Sequence, residues 1–244
     1  MVISTPVILC GFAGQADSYK ISALREASNV CGKFNDNSGM KEILIKHPTV
    51  LSGQEIELIP LEKTHFEELF IAASDKDLWT LIPTDCSDWD TFSKTYELSL
   101  VERENGNQYP FVIRHKKTNR LIGSTRFFEI YPADKKLEIG WTWIIKEYWG
   151  TTINLECKLL LLTFCFDTLK LNRVQLKTKD TNFRSRKAIE KIGGVFEGIL
   201  RKDRIQSDGS TRNAAYYSIL DSEWKSAKGK IENQIKEKAK HNTS

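Results

Sequence analysis

The chain's clearest chemical feature is a glycine turn, Trp149-Gly150-Thr151-Thr152-Ile153-Asn154, placed where an apolar strand gives way to a long apolar helix. A helix N-terminus leaves backbone N–H groups unpaired and carries partial positive charge, so it holds a phosphate or pyrophosphate well. The strand ahead of the turn can offer its own backbone to an extended ligand. Further on, Asn182 and Ser185 open a short helix that ends at Gly193-Gly194, and both residue types satisfy orphan N–H groups at helix starts. The combination describes an enzyme that grips a phosphorylated cofactor by main chain and does its chemistry alongside.

The elements that must position these residues follow from periodicity. Glu55–Leu61 alternates as a strand. Thr64–Ala73 reads as a helix with Thr64 as N-cap and Glu67 three residues later, a capping box. Asp88 or Asp90 caps a longer helix through about Glu104, ended by Gly106. Tyr109–His115, Leu121–Ile130 and Lys136–Ile144 are strands. Thr152–Leu169 is apolar almost all round and is expected to be deeply buried. Arg173–Thr178 is a strand, Phe183–Ile192 a helix, and Val195–Arg201 and Asn213–Leu220 close the sheet. The order is mixed α/β around one sheet, with no internal repeat.

Four stretches in this order and spacing, Leu137-Glu138-Ile139-Gly140-Trp141, Tyr148-Trp149-Gly150-Thr151, Leu171-Asn172-Arg173-Val174 and Asn182-Phe183-Arg184-Ser185 through Ile192-Gly193, resemble the core of the GNAT N-acetyltransferases. Ser207-Asp208-Gly209, Ala215-Tyr216-Tyr217-Ser218-Ile219-Leu220 and Glu223-Trp224 resemble its ribosomal-protein N-terminal acetyltransferase branch. The likeness runs from about Leu51 to Trp224. It implies the GNAT fold, an α/β (α+β) domain whose mixed, mostly antiparallel sheet is splayed at the acyl-CoA site, with acetyl-CoA as co-substrate and an amine as acceptor. The acceptor is a protein N-terminal α-amine or a small-molecule amine, and a homodimer is an assembly the resemblance admits.

Acetyl transfer needs a proton acceptor for the amine, a donor to the oxyanion and protonation of the departing thiolate. The resemblance carries Asn182 to the pantetheine and Ser185 to the sulfur as proton donor, although plain helix capping accounts for both residue types. It offers Asp203 and Glu138 equally as the base, and places the oxyanion donor among the backbone N–H groups of Ile144 or Ile145. The diphosphate falls to Trp149, Gly150, Thr151, Thr152, Ile153 and Asn154, with Lys158, Arg184 and Lys187 in support. One departure is visible. The family's loop reads Gln/Arg-x-x-Gly-x-Gly or Ala, and this chain has Thr152 at the second small position. A β-branched residue suits φ > 0 poorly and brings a methyl and a hydroxyl near the phosphates. This departure leaves a non-catalytic acyl-CoA-binding module as the competing reading. Trp141, Trp143 and Trp149 are expected to line the core or cleft near the splay, while the four histidines lie away from the motifs.

Composition agrees with one domain with appendages. The 244 residues are 40% hydrophobic and 28% charged. No apolar run approaches a membrane span, and no Lys or Arg precedes Lys20 in the apolar opening, so a cytoplasmic protein with reduced cysteines is expected. The net charge of +4 sits at the ends, above all in a tail from Ser226 with five basic and two acidic residues. Neither nucleic acid nor a membrane is expected as a partner. Residues 1–48 form an N-terminal extension of unknown structure, with a loop signal at 35–39, residues 49–225 form the catalytic domain, and residues 226–244 form a basic tail expected to be a frayed, solvated helix.

Overall fold

The computed structural model describes residues 43–80, 82, 84–206 and 209–241. Residues 1–42 lie outside this range, and with them most of the expected extension, the apolar opening and the 35–39 loop; so do Ser207 and Asp208 of the branch motif.

Eight strands form one sheet in the order β1-β2-β3-β4-β5-β6-β8-β7, where β1 is Leu51–Ser52, β2 Ile56–Pro60, β3 Gln108–His115, β4 Leu121–Tyr131, β5 Lys136–Ile144, β6 Arg173–Lys179, β7 Val195–Ile205 and β8 Thr211–Leu220. All neighbours are antiparallel except β5 and β6. That parallel pair is short. It runs Lys136↔Arg173, Leu137↔Val174 and Glu138↔Gln175, and there the ladder ends. Beyond it β5 stays with β4 and β6 stays with β8, so the sheet opens into a V.

The two faces carry separate cores. On one lie α3 (Ile153–Thr163), α4 (Phe183–Lys191) and α5 (Asp221–His241), whose Leu161, Ile189 and Ile231 join Phe127, Ile139, Leu176 and Tyr217 of the sheet. On the other lie α1 (Phe66–Ala73) and α2 (Trp89–Glu104), where Phe66, Leu69, Phe92 and Tyr96 meet Val112, Leu121 and Trp143. Asp88 caps α2 by accepting from Thr91 N at 3.0 Å, as its sequence position implies.

Three local expectations are corrected. Thr64 is not a cap; it lies within a single 3-10 turn, Lys63–His65, whose box is made by Glu62 and His65, with Glu62 N donating to His65 Nδ1 at 3.1 Å. The long apolar helix ends at Thr163 and continues as a π-type turn over Phe164–Thr168. The described part of the basic tail is helical and docked: α5 runs to His241, with Ala227 and Ile231 buried and Lys228 Nζ 2.8 Å from Asp167 Oδ2. Apolar residues at 224, 227 and 231 supply the stripe that docks it. Cys86, Cys157 and Cys165 are buried and unbridged; Cys10 and Cys31 fall outside the described residues.

Candidate active site

The site begins with a bulge. The β4–β5 register shifts between Ser124 and Arg126, and on β5 Trp141 takes a φ of 52°. An extra residue in one strand bends it and re-aims its side chains. Here the bend lies just past the last β5–β6 pair, so it widens the V. A cleft of about 610 Å³ fills the opening and passes from α5 on one face to the α1–α2 side on the other.

At the α3 end, Gly150 turns the chain with a φ of 78°, the left-handed region that glycine enters without a Cβ clash against its own backbone. Thr151 Oγ1 donates to Tyr148 O at 2.8 Å and lies 3.3 Å from Ile153 N. The N–H groups of Gly150, Thr152 and Asn154 find no acceptor among the described residues. Trp149, Gly150, Thr151 and Asn154 line the cleft, with Arg184, Lys187, Lys191 and Lys238 around them. Arg184 stacks on the Trp149 ring at 4.2 Å, and Lys238 of α5 donates to Gly150 O. Free amides and a ring of cations at a helix start fit a diphosphate.

Thr152 differs from its expected setting. Its φ is −73°, so no left-handed backbone is asked of it. It is buried, and its Oγ1 donates to Glu55 Oε1 at 2.6 Å, away from the cleft. Ile153 is also buried. Thr152 ties the loop to Glu55, just before β2, and its hydroxyl is engaged there rather than in the cleft lining.

Lys158 of α3 also lines the cleft, but it is nine-tenths buried and donates to Thr142 Oγ1 at 2.7 Å. Burial holds its pKa below the usual lysine value.

At the apex of the V, Glu138 is 1% exposed and lines the cleft. Its Oε2 accepts from Gln175 Nε2 at 2.7 Å and lies 3.2 Å from Lys177 Nζ. Desolvation is the largest effect on the carboxyl and Lys177 opposes it; the result is a pKa pushed up to about 7. Ser185 also lines the cleft. Its N–H donates to Asn182 Oδ1 at 3.0 Å, which makes Asn182 the N-cap of α4 and leaves the Ser185 hydroxyl with no bond among the described residues.

Besides Thr152 and Ile153, two more expected residues do not line the cleft. Asp203 does not line it; its Oδ1 accepts from Tyr216 OH at 2.6 Å. Ile145 N donates to Ile122 O at 2.9 Å, so this N–H is spent in the sheet. Ile144 does line the cleft, and its carbonyl accepts from Trp149 Nε1 at 2.7 Å.

Of the three tryptophans, Trp141 covers the buried Arg126 guanidinium at 4.6 Å, Trp143 is core, with Nε1 donating to Tyr96 OH at 2.8 Å, and Trp149 sits at the loop. His115 is closer to the motifs than expected, with Nδ1 3.2 Å from Tyr148 OH. On the α2 side the cleft meets a second pocket of about 410 Å³, which shares Phe128, Trp141 and Arg204 with it and adds Glu102, Gln108 and Glu129. Lys238, Arg204 and Arg212 were not legible as site residues. Lys238 requires α5 to dock, and the arginines require the full length of the β7–β8 hairpin, which runs farther on both strands than the alternating residues suggest.

A family model for the acetyltransferase (GNAT) domain matches residues 55–195, more than half of the chain. YdaF of Bacillus subtilis, provisionally named a ribosomal N-acetyltransferase, is 35% identical over 108 residues, which cover 44% of this chain and 58% of that protein. The chain therefore aligns with less than two thirds of that relative. A solved structure from T. thermophilus, provisionally described as an acetyltransferase, superposes with a TM-score of 0.70 at 30% identity over 78% of this chain and 99% of its own. RimJ of Mycobacterium smegmatis, in complex with CoA-disulfide, shares the fold at 20% identity, with a TM-score of 0.66 over 77% of this chain and 95% of its own. The split parallel pair, the bulge beside it and the glycine turn opening α3 thus sit within a matched sequence domain, and the chain belongs to the GNAT acetyltransferases.

Proposed function

We propose that this acetyltransferase moves the acetyl group of acetyl-CoA directly to a primary amine, with a protein N-terminal α-amine as the acceptor. Glu138 carries this reading. A carboxyl with a pKa near 7, buried at the apex of the V, is half-ionised at the pH where it must take a proton. Acetyl-CoA supplies the acetyl thioester. The loop amides of Gly150, Thr152 and Asn154, with Arg184, Lys187 and Lys238, would hold its diphosphate, and Asn182 would face the pantetheine.

The amine enters from the Trp141–Phe128 side and gives a proton to Glu138. Its nitrogen forms a bond to the thioester carbonyl carbon, the C–S bond breaks, the Ser185 hydroxyl gives a proton to the departing sulfur, and the nitrogen sheds its second proton, relayed through solvent, to restore that hydroxyl. The cleft-facing backbone at Ile144 is our candidate for the oxyanion site. The acceptor class draws on YdaF, whose provisional name is a ribosomal N-acetyltransferase, and the cofactor draws support from RimJ, which shares this fold and was solved with a CoA derivative. We assign catalysis to residues 49–225, with α5 completing the cofactor wall, and place the protein in the cytoplasm, where acetyl-CoA and new protein N-termini meet. Release of free CoA thiol on adding N-terminal peptides tests the reading. A non-catalytic binder would be stabilised by CoA and release none.

A further inference from the structure

Arg204 and Arg212 are direct cross-strand partners on β7 and β8, and both line the cleft. Like charges placed opposite each other on a sheet repel. Arg212 is only 7% exposed, and its Nε is buried with no hydrogen-bond partner. Burial and then the facing Arg204 work against its charge, and the carboxylates of Asp203 and Asp180 offset them only in part. Neither guanidinium has a salt bridge among the described residues, whereas Lys177 is paired with both Glu129 and Glu138. A buried, unpaired guanidinium is costly unless a ligand completes it. A planar fork of donors matches a carboxylate.

The position indicates which ligand. Arg204 also lines the second pocket beside Trp141 and Phe128, away from the Gly150 loop. Arg212 lies four residues along β8 from Tyr216, about 14 Å at strand rise. The Tyr216 ring is 5.5 Å from Lys177 Nζ, which contacts Glu138. An extended peptide covers that span in about four residues. Resting on the acetyl-transfer reading above, we propose that Arg204 and Arg212 form a carboxylate clamp that reads an acidic side chain within the first few residues of a peptide acceptor.

The test is calorimetry on the full chain saturated with CoA, which permits binding without turnover. Two peptides share their first residue and carry either glutamates or glutamines at the next three positions. The acidic peptide is expected to bind at least tenfold more tightly, with the advantage reduced to threefold or less in Arg204→Gln and in Arg212→Gln and narrowed by added salt. Arg204→Gln is the safer variant, since Arg204 is only half-buried. Equal binding of the two peptides by the parent overturns the clamp, as does a preference that survives both substitutions. A loss of CoA affinity in Arg204→Gln in place of peptide affinity also overturns it, by assigning the pair to cofactor phosphate. Thiol release from acetyl-CoA is measured in parallel with each peptide. Release without acidic preference removes the clamp and keeps acetyl transfer; selective acidic binding with no release from either peptide removes the transfer reading and keeps the clamp.

Discussion

Glu138 and Gln175 face each other across the last parallel pair before β5 and β6 separate, and their side chains are joined by a 2.7 Å hydrogen bond. Gln175 thereby fixes one carboxylate oxygen of Glu138 at the point where the sheet opens. Gln175→Leu is expected to leave CoA affinity within about twofold and to raise the apparent pKa of the rate profile, because it removes a bond that favours the ionised form. A profile that stays in place would show that this contact does not tune the base.

The folding stability of the protein is expected to carry the signature of the same carboxyl. Its pKa in the folded state lies above its ordinary value of 4.5, at about 7. The folded state therefore binds the proton more tightly than the unfolded chain does. The resulting stabilisation is complete below pH 4.5 and is lost as pH rises through 7. Relative to Glu138→Gln, the parent should lose melting temperature across that window. A difference that is constant from pH 4.5 to 8 would place the titration elsewhere.

Gly150 and Thr152 should respond in opposite ways. Gly150→Val forces a β-branched residue into left-handed backbone and is expected to weaken CoA binding by at least tenfold. Thr152→Val removes the bond to Glu55 and is expected to cost about 1 kcal/mol of stability with CoA affinity nearly unchanged. Calorimetry and denaturant titration of both variants separate the effects, and a Thr152→Val protein that binds CoA poorly would put its hydroxyl back in the anion site.

The Ser185 hydroxyl has no bond among the described residues, while its N–H is held by the cap. Ser185→Ala is expected to lower the rate by about 10²-fold with little change in CoA affinity. Asp203→Asn, which alters a carboxylate engaged by Tyr216 outside the cleft lining, is expected to keep the rate within about threefold. Parental rates for Ser185→Ala would end its assignment as proton donor.

Docking of α5 is testable through Ile231, which is fully buried. Ile231→Ala is expected to cost about 2–5 kcal/mol, and Lys238→Ala should weaken CoA binding severalfold without that loss. A chain ending at residue 225 that binds CoA as well as the full chain would contradict a role for α5 in the cofactor wall.

The legible parts of this protein are those whose signals are local. The Gly150 turn, the Asn182 cap and the alternation of Lys136–Ile144 each lie within a few residues, and each sits where its pattern places it. Long-range pairing was not legible. Thr152 read as a loop residue beside an anion because its partner, Glu55, is 97 residues away in sequence. Asp203 and Glu138 were equivalent carboxylates until the sheet buried Glu138 and gave Asp203 to Tyr216. The charged tail read as solvated because its polar residues outnumber Ala227, Ile231 and the others that dock it.

The pH dependence of acetyl transfer in Glu138→Gln tests the central assignment most directly. With a peptide acceptor at saturating acetyl-CoA, the parent rate is expected to rise through a pKa near 7. The variant should fall by about 10²-fold at neutral pH, lose that limb, and approach the parent at high pH as free amine accumulates. A variant that keeps the parental rate and the limb across the same range would show that Glu138 does not accept the amine's proton.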